Sequence, residues 1–243
     1  MKDELLPIGQ DESFQFECTS RTPCFNECCR DLNQFVTPYD ILRLKNGLGI
    51  PSTEFLERFT RQHIGPETGL PVVTLRSQDS TENTCPFVTS AGCRLYADRP
   101  GSCRMYPLAR MISRSRETGV ITEHYAILQE SHCRGFENSR RQTVREWIET
   151  QGLREYNEMN DRMMDILRHK NRLSPGSSLS LADKQLFQTA CYDIDRFRVS
   201  LLERALTDSA EWNDISPERL QTDDIALLRF SMQWIRRTLF GSP

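Results

Sequence analysis

The spacing of apolar positions predicts two short helices early in the chain. Thr37 supplies a capping hydroxyl, Pro38 stands in the first turn and Asp40 is favourably placed against the helix dipole, so a helix is expected over residues 37–49. Ser52 predicts the cap of a second helix. Behind the caps, apolar residues recur at helical spacing: Ile41, Leu42 and Leu44 in the first helix, and Phe55, Leu56 and Phe59 in the second.

Two other stretches predict strands. Residues 72–75 and 120–128 are rich in β-branched and aromatic side chains, which favour extended structure. They are expected to form one small antiparallel sheet.

The second half of the chain predicts helices. Thr143 and Glu146 form a capping box, and the helix behind them is expected to end near Gly152. A long helix is expected from Ser180 to about residue 206, and another from Thr222 to about residue 240. After Gly152, an apolar stripe predicts a further helix: Tyr156, Met159, Met163, Ile166 and Leu167.

These elements together predict an α+β, mostly helical fold in two parts. Residues 1–138 are expected to form a small cysteine-rich metal-binding domain with a short antiparallel sheet, and residues 139–243 a helical C-terminal region. A linker is expected at about residues 171–179, where proline, glycine and serine cluster.

Composition excludes some classes of function. The chain has 243 residues, 37% of them hydrophobic, and a formal net charge of −3, which argues against a binder of nucleic acid. Residues 1–20 hold no apolar run of the kind found in signal peptides, and no stretch has the length of a membrane span. A cytoplasmic protein without membrane association is expected.

Cysteine usage points to metal. Eight of the nine cysteines fall in two clusters and one isolated position, a density typical of metal sites in a reducing compartment. Disulfides are the main alternative, and an unliganded redox relay is another. The predicted ligands are Cys18, Cys24, Cys28, Cys29, Cys85, Cys93, Cys103 and Cys133.

The spacing of these cysteines favours an iron–sulfur or polynuclear iron centre over zinc. No C-x2-C pair of the kind common in structural zinc sites occurs. The adjacent Cys28 and Cys29 project in different directions on an extended chain, so they could serve two centres or bridge a larger cluster. Cys85 is followed by Pro86, as the last ligand is in bacterial ferredoxin motifs.

Three residues near the cysteines are candidates for a supporting role. Arg99 and Arg104 could offset thiolate charge and donate to sulfur, or could simply face solvent. His132 adjoins Cys133 and could replace a thiolate, although a surface histidine is the simpler interpretation. Cys191 is expected to be a small core residue. No catalytic residues can be named, since the common catalytic motifs are absent from the sequence.

The cysteine pattern resembles the bacterial cysteine-cluster proteins labelled YkgJ-like, or CxxCxxCC-type, which are described as a zinc- or iron-chelating domain. The resemblance covers residues from about 14 to 137, although the first spacing here is five residues where the family name implies two. The matching segments are Phe16-Glu17-Cys18, Cys24 to Cys29, Thr37 to Gly49, Cys85-Pro86-Phe87, Gly92-Cys93 with Tyr96, and Arg99-Pro100 leading to Cys103-Arg104.

Several functions remain open at this point. An iron–sulfur or polynuclear iron centre would give an electron-transfer or metal-dependent role with a protein or redox partner. Zinc would instead stabilise a structural or interaction module. The resemblance adds a third possibility, a protein-modifying enzyme, because relatives of the domain include flagellin lysine methylases.

Overall fold

The computed structural model describes residues 3–30, 33–78, 83–115, 117–173, 178–203 and 215–241. The predicted α+β, mostly helical fold is confirmed, with strands confined to the first 143 residues of the described chain. The helices are α1 (Pro38–Leu48), α2 (Ser52–Phe59), α3 (Gly101–Met105), α4 (Val144–Thr150), α5 (Leu153–Leu173), α6 (Leu181–Cys191), α7 (Ile194–Glu203), α8 (Pro217–Thr222) and α9 (Asp224–Phe240). The strands are β1 (Glu4–Ile8), β2 (Ser13–Gln15), β3 (Phe35–Val36), β4 (Thr60–Ile64), β5 (Pro71–Leu75), β6 (Val88–Thr89), β7 (Gly92–Cys93), β8 (Leu108–Arg114), β9 (Ile121–Gln129) and β10 (Arg141–Thr143).

The strands form small, separate antiparallel sheets in the order β1-β9-β8, β3-β5-β4, β10-β2 and β6-β7. The prediction that residues 72–75 and 120–128 share one sheet is therefore wrong. β5 takes both partners from the segments around α1 and α2. β9 pairs along its length with β8, which directly precedes it, and on its other side with β1.

The predicted capping box at Thr143 and the predicted cap at Thr37 are both confirmed, and the cap at Thr37 is also a capping box. The Thr37 hydroxyl accepts from the Asp40 backbone N–H, and the Asp40 carboxylate accepts from the Thr37 N–H at the start of α1. Thr143 and Glu146 do the same at the start of α4. The turn after α4 passes through Gly152, which has a positive φ of 62°.

The structure corrects the helix predicted from Ser180 to residue 206. It is two helices, α6 and α7, separated at residues 192–193, and residues 204–206 lie outside the described chain. At the break, Asp193 contacts a segment that is distant in sequence. Its carboxylate accepts from the Ser52 hydroxyl at 2.7 Å and from the Thr53 hydroxyl at 2.8 Å. Ser52 consequently does not cap α2; the Asp195 carboxylate accepts the Ser52 N–H at 2.7 Å instead.

Other boundaries shift less. The last helix is capped by Asp223 rather than Thr222, and the short α8 precedes it. Part of the predicted linker at 171–179 is helical, since α5 continues to Leu173; residues 174–177 lie outside the described chain. The division at residue 138 stays a prediction. None of the described helices has both the length and the apolar character needed to span a membrane.

One continuous apolar core runs from the β2 and α1 region into the C-terminal helices. Tyr39 of α1 packs edge-on against Tyr156 of α5, with ring centroids 4.8 Å apart. A buried ion network adds to this packing. Lys45 of α1 lies 3.2 Å from the Asp195 carboxylate of α7 and 3.1 Å from the Asp224 carboxylate of α9. The helices that follow residue 143 therefore pack directly against the part of the chain that contains the cysteines.

Candidate metal centre

The predicted ligand cysteines lie on loops and at the ends of short elements. Cys18, Cys24, Cys28 and Cys29 lie between β2 and β3, where residues 27–29 form a single 3-10 turn. The remaining four come from distant segments: Cys85 before β6, Cys93 at the end of β7, Cys103 in α3 and Cys133 after β9. All nine cysteines are free thiols. Cys191, at the end of α6, is only 1% exposed, which confirms it as a core residue.

The chain after β2 brings one group of thiols together. The Phe16 N–H donates to the Arg140 carbonyl at 3.0 Å, and the Glu17 N–H donates to the Gly135 carbonyl at 3.1 Å. The Cys24 sulfur accepts from the Arg134 N–H at 3.0 Å, across 110 residues of sequence. Cys18, Cys24 and Cys133 are thereby gathered at one place.

An aromatic cluster packs beside this first group of thiols. Phe16 is 2% exposed, and its ring lies 5.1 Å from Phe136 and 5.7 Å from Trp147, each in an edge contact. Gly135 sits so close to Phe16 that a Cβ at this position would be 2.4 Å from the Phe16 Cε2 atom. Glycine is needed here for space, so that the chain beside Cys133 can approach the ring.

The second group is assembled by different contacts. The Cys85 N–H donates to the Cys29 carbonyl at 2.8 Å, joining the loop before β3 to the loop before β6. The β6–β7 hairpin pairs Val88 with Cys93. Gln34 lies beside Cys103, with 3.8 Å between the Cys103 sulfur and the Gln34 Oε1 atom. Cys29, Cys85, Cys93 and Cys103 are thus gathered from four segments.

The thiols within each group influence one another's ionisation. Burial raises the pKa of Cys18 to about 11, and negative charge on Cys28, Cys24 and Cys133 adds to the rise. Burial raises the pKa of Cys103 to about 12, with Cys85, Asp40, Cys28 and Cys93 acting in the same direction. Burial is also the main cause of the raised pKa of Cys85 and of Cys93. A bound cation would reverse this balance, because it favours the thiolate form.

The adjacent Cys28 and Cys29 form the junction between the groups. A hydrogen bond from the Cys29 thiol lowers the pKa of Cys28 to about 7, and the same bond raises the pKa of Cys29. Charge on Cys28 affects Cys18 on one side and Cys85, Cys93 and Cys103 on the other. Cys28 is one of the exposed cysteines.

The positive charge of Arg99 acts on a thiol of each group. Its side chain is buried, donates to the Tyr96 carbonyl at 2.8 Å and lies over the Tyr96 ring. Its charge acts to lower the pKa of Cys18 in one group and of Cys93 in the other, against the larger effect of burial. The charge-balancing role predicted for Arg99 therefore has a physical basis in its position.

Arg104 and His132 are placed differently. Arg104 donates to the Arg99 carbonyl at 3.2 Å, to the Gln151 carbonyl at 2.7 Å and to the Ala97 carbonyl, so its described hydrogen bonds tie backbone segments together. The His132 Nε2 atom lies 3.9 Å from the Glu130 carboxylate, and its side chain is exposed. A role for either side chain toward a bound metal stays a prediction.

Comparison with known proteins adds the deciding observation. Residues 17–160, more than half of the chain, match the model of the CxxCxxCC family, described as "Putative zinc- or iron-chelating domain". The chain belongs to this family. No curated protein and no solved structure matches the chain significantly.

The match to the CxxCxxCC family runs beyond the resemblance expected over residues 14–137, through α4 and into α5. The structure gives a reason for this extent. Tyr156 of α5 donates to the Arg99 carbonyl at 3.1 Å, and a Cβ on Gly101 would lie 3.1 Å from the Tyr156 ring. The start of α5 therefore supports the segment that carries Cys103.

The donor set fits the metals that the family description names. Thiolates are ligands for both zinc and iron centres. Among the described residues, no three Cys, His, Asp or Glu side chains already stand in an arrangement that could hold an ion. Rotation about the Cα–Cβ bond moves a cysteine sulfur without moving the backbone. The metal ligands themselves stay a prediction.

Sequence analysis missed three residues that shape the site. Asp40, identified only as an acid in the first turn of α1, also accepts the Gly101 N–H of α3 at 2.7 Å. Gln34 donates to the Ser102 hydroxyl at 2.6 Å beside Cys103. The buried Tyr106 hydroxyl acts to lower the Cys133 pKa, which burial raises overall. None of these contacts has a local sequence signal, because each joins segments far apart in the chain.

Proposed function

We propose that this protein holds an iron–sulfur or polynuclear iron centre on its clustered cysteines and uses it for electron transfer or another metal-dependent reaction. The observation that carries the proposal is that backbone contacts bring free thiols from distant segments together, Cys24 beside residue 134 and Cys29 beside Cys85. The proposed ligands are Cys18, Cys24, Cys28, Cys29, Cys85, Cys93, Cys103 and Cys133.

Two features support iron over zinc. The chain contains no C-x2-C pair of the kind that forms most structural zinc sites. In addition, the two groups of thiols adjoin at Cys28 and Cys29, as expected for centres that exchange electrons or share a cluster. An iron–sulfur centre would supply a reversible one-electron step, and the protein would provide its sulfur ligands and the nearby charge of Arg99.

A cytoplasmic setting and a protein or redox partner belong to the same proposal. Free thiols at this density persist in a reducing compartment. The formal net charge of −3 gives no reason to expect nucleic acid as the partner.

A zinc-stabilised structural or interaction module is the second candidate. It is favoured because the segments that bear the thiols contain little secondary structure. β6 and β7 have two residues each, and the segment from Cys18 to Cys29 holds one 3-10 turn. Loops of this kind gain much of their stability from a bound ion, because binding and folding are then one process.

Anaerobic purification without added metal, followed by elemental analysis and absorption spectra with and without dithionite, distinguishes the two candidates. Iron with acid-labile sulfide and a visible band that bleaches on reduction is the expected result. Zinc alone with no visible band would contradict the proposed redox role and favour the structural module. Protein that binds neither metal, even after reconstitution, would contradict both.

A further inference from the structure

We propose that the eight thiols form two separate centres of four thiols each, side by side, rather than one shared cluster. The first centre takes Cys18, Cys24, Cys28 and Cys133, and the second takes Cys29, Cys85, Cys93 and Cys103. This inference rests on the proposed function, since it concerns how the same ligands divide.

Backbone hydrogen bonds separate the two sets of thiols. The first centre is built where the chain after β2 runs beside residues 135–140, through the Glu17 N–H to Gly135 carbonyl bond of 3.1 Å. The bond of 3.0 Å from the Arg134 N–H to the Cys24 sulfur completes the link to Cys133. None of these bonds involves the segments that carry Cys85, Cys93 or Cys103.

The second centre has its own framework. The 2.8 Å bond from the Cys85 N–H to the Cys29 carbonyl fixes two of its segments. The Arg94 N–H donates to the Phe87 carbonyl at 2.9 Å, which closes the hairpin that carries Cys93. Gln34, just before β3, donates to the Ser102 hydroxyl at 2.6 Å, and its Oε1 atom lies 3.8 Å from the Cys103 sulfur. Four thiols from four segments are the number that one tetrahedral ion or one four-iron cluster takes.

The turn at residues 27–29 places the boundary between the centres. It is a 3-10 turn, in which consecutive side chains point about 120° apart around the axis. The two residues therefore leave the turn at different angles, although the Cys29 thiol donates to the Cys28 sulfur, so the proposed centres adjoin at this pair. The Cys29 carbonyl accepts from the Cys85 N–H at 2.8 Å, which places Cys29 with the second set. Cys28 is the one remaining thiol, and it completes the first centre, which otherwise has three.

Charge is consistent with two neighbouring centres. Four thiolates around one divalent ion leave a net charge of about −2, so adjacent centres repel each other. Buried Arg99 acts on Cys18 of the first centre and on Cys93 of the second. A guanidinium in this position offsets part of the repulsion without being a ligand.

Single substitutions in each centre test the division. Cys24→Ser removes a ligand from the first centre and Cys85→Ser from the second. We expect each variant, purified anaerobically, to keep about half of the wild-type metal, and the double variant to keep almost none. Cys191→Ala is the matched control, since this thiol lies in the core away from both groups, and it should keep the full amount. Far-UV circular dichroism reports whether each variant is folded.

The outcomes distinguish this inference from the proposed function. If either single variant is folded and loses all metal, the thiols form one shared cluster and the division is wrong, while metal binding itself stands. If wild-type protein binds no metal after reconstitution with iron and sulfide or with zinc, the proposed function fails and the division with it.

The wild-type protein provides a second test that does not depend on the folding of variants. Zinc titration under anaerobic conditions, followed by native mass spectrometry and alkylation of free thiols, counts the ions and the thiols they protect. The inference requires saturation at two zinc ions, with all eight thiols protected from alkylation in the folded, zinc-loaded protein. Cys191 is 1% exposed, so burial protects it with or without zinc, and it is left out of the count. Saturation at one ion, or at more than two, overturns it.

Discussion

At the scale of single residues, the site depends on close packing as much as on its thiols. Gly135 touches Phe16, and Phe16 in turn contacts the rings of Phe136, Tyr106 and Trp147. Aromatic clusters of this kind are dense and stiff, so an added methyl group cannot be absorbed without movement. The residue that positions Cys133 is therefore a glycine two places further along, which no metal-ligand pattern would identify.

Gly135→Ala is expected to destabilise the protein by roughly 1–3 kcal/mol, because the new Cβ would overlap the buried Phe16 ring. Urea unfolding monitored by circular dichroism measures this loss. Gly9→Ala is the matched control, since a Cβ there meets only Glu12 side-chain atoms at 3.4 Å or more. An unchanged unfolding midpoint in Gly135→Ala would mean that the aromatic cluster yields easily and does not position the loop.

At the scale of elements, the two capping boxes differ in what they bind. The box at Thr143 and Glu146 satisfies only the start of its own helix, α4. The box at Thr37 and Asp40 satisfies the start of α1 and also holds α3 through the Gly101 N–H. Burial raises the pKa of Asp40, while the hydrogen bonds from Thr37 and Gly101 act to lower it. One carboxylate thus links α1 to the helix that bears Cys103.

Asp40→Ala is expected to cost more than the loss of an ordinary cap, which is worth about 0.5–2 kcal/mol, because the Gly101 N–H also loses its partner. Glu146→Ala is the control, as it removes the equivalent carboxylate of the α4 box. The free energy of unfolding of both variants is measured by denaturant titration. Equal losses in the two variants would contradict the linking role assigned to Asp40.

Element boundaries were predictable from sequence where their causes are local. The cap at Thr37 and the capping box at Thr143 and Glu146 could be identified because the partners lie within four residues of each other. The break between α6 and α7 could not be predicted, since the Ser52 hydroxyl that binds Asp193 is 141 residues away. The same limit applies to the site. Sequence proximity grouped Cys18 to Cys29 together, whereas the folded chain places Cys24 with Cys133 and Cys29 with Cys85.

At the scale of the whole molecule, a network of charges joins the cysteine-bearing half to the C-terminal helices. Lys45 of α1 contacts Asp195 and Asp224, and Arg198 of α7 contacts the same two carboxylates. The Lys45 side chain is only 7% exposed, so its charge depends on these partners. Composition and periodicity predicted both halves of the molecule but not this connection, which spans α1, α7 and α9.

Asp224→Asn is expected to destabilise the protein by roughly 1–3 kcal/mol at neutral pH, because it removes the charged acceptor shared by Lys45 and Arg198. Burial acts to raise the pKa of Asp224, but Arg198, Lys45 and Asn46 outweigh it and hold the pKa below its usual range. A carboxylate with a lowered folded-state pKa stabilises the protein above its unfolded-state pKa of about 3.9 and loses this contribution as the pH falls through the folded-state value. The variant should therefore lose less stability on acidification than the wild type.

Melting temperatures between about pH 6 and pH 3 measure this difference. Asp11→Asn is the control, because Asp11 pairs with Arg145 at the surface with 82% of its side chain exposed, and such pairs contribute little. If Asp224→Asn and Asp11→Asn change the melting temperature equally at neutral pH, the network does not hold the two halves together.

The pairing of β1 with β9 has a practical consequence for metal analysis. The Asp3 carboxylate accepts the Ser131 N–H at 2.9 Å, and Ser131 is two residues from Cys133. A polyhistidine affinity tag joined before residue 1 would thus be tethered close to Cys133, and its imidazoles would compete with thiolates for zinc or iron. Metal counts for this protein are therefore meaningful only after such a tag has been cleaved, or with a purification that uses none.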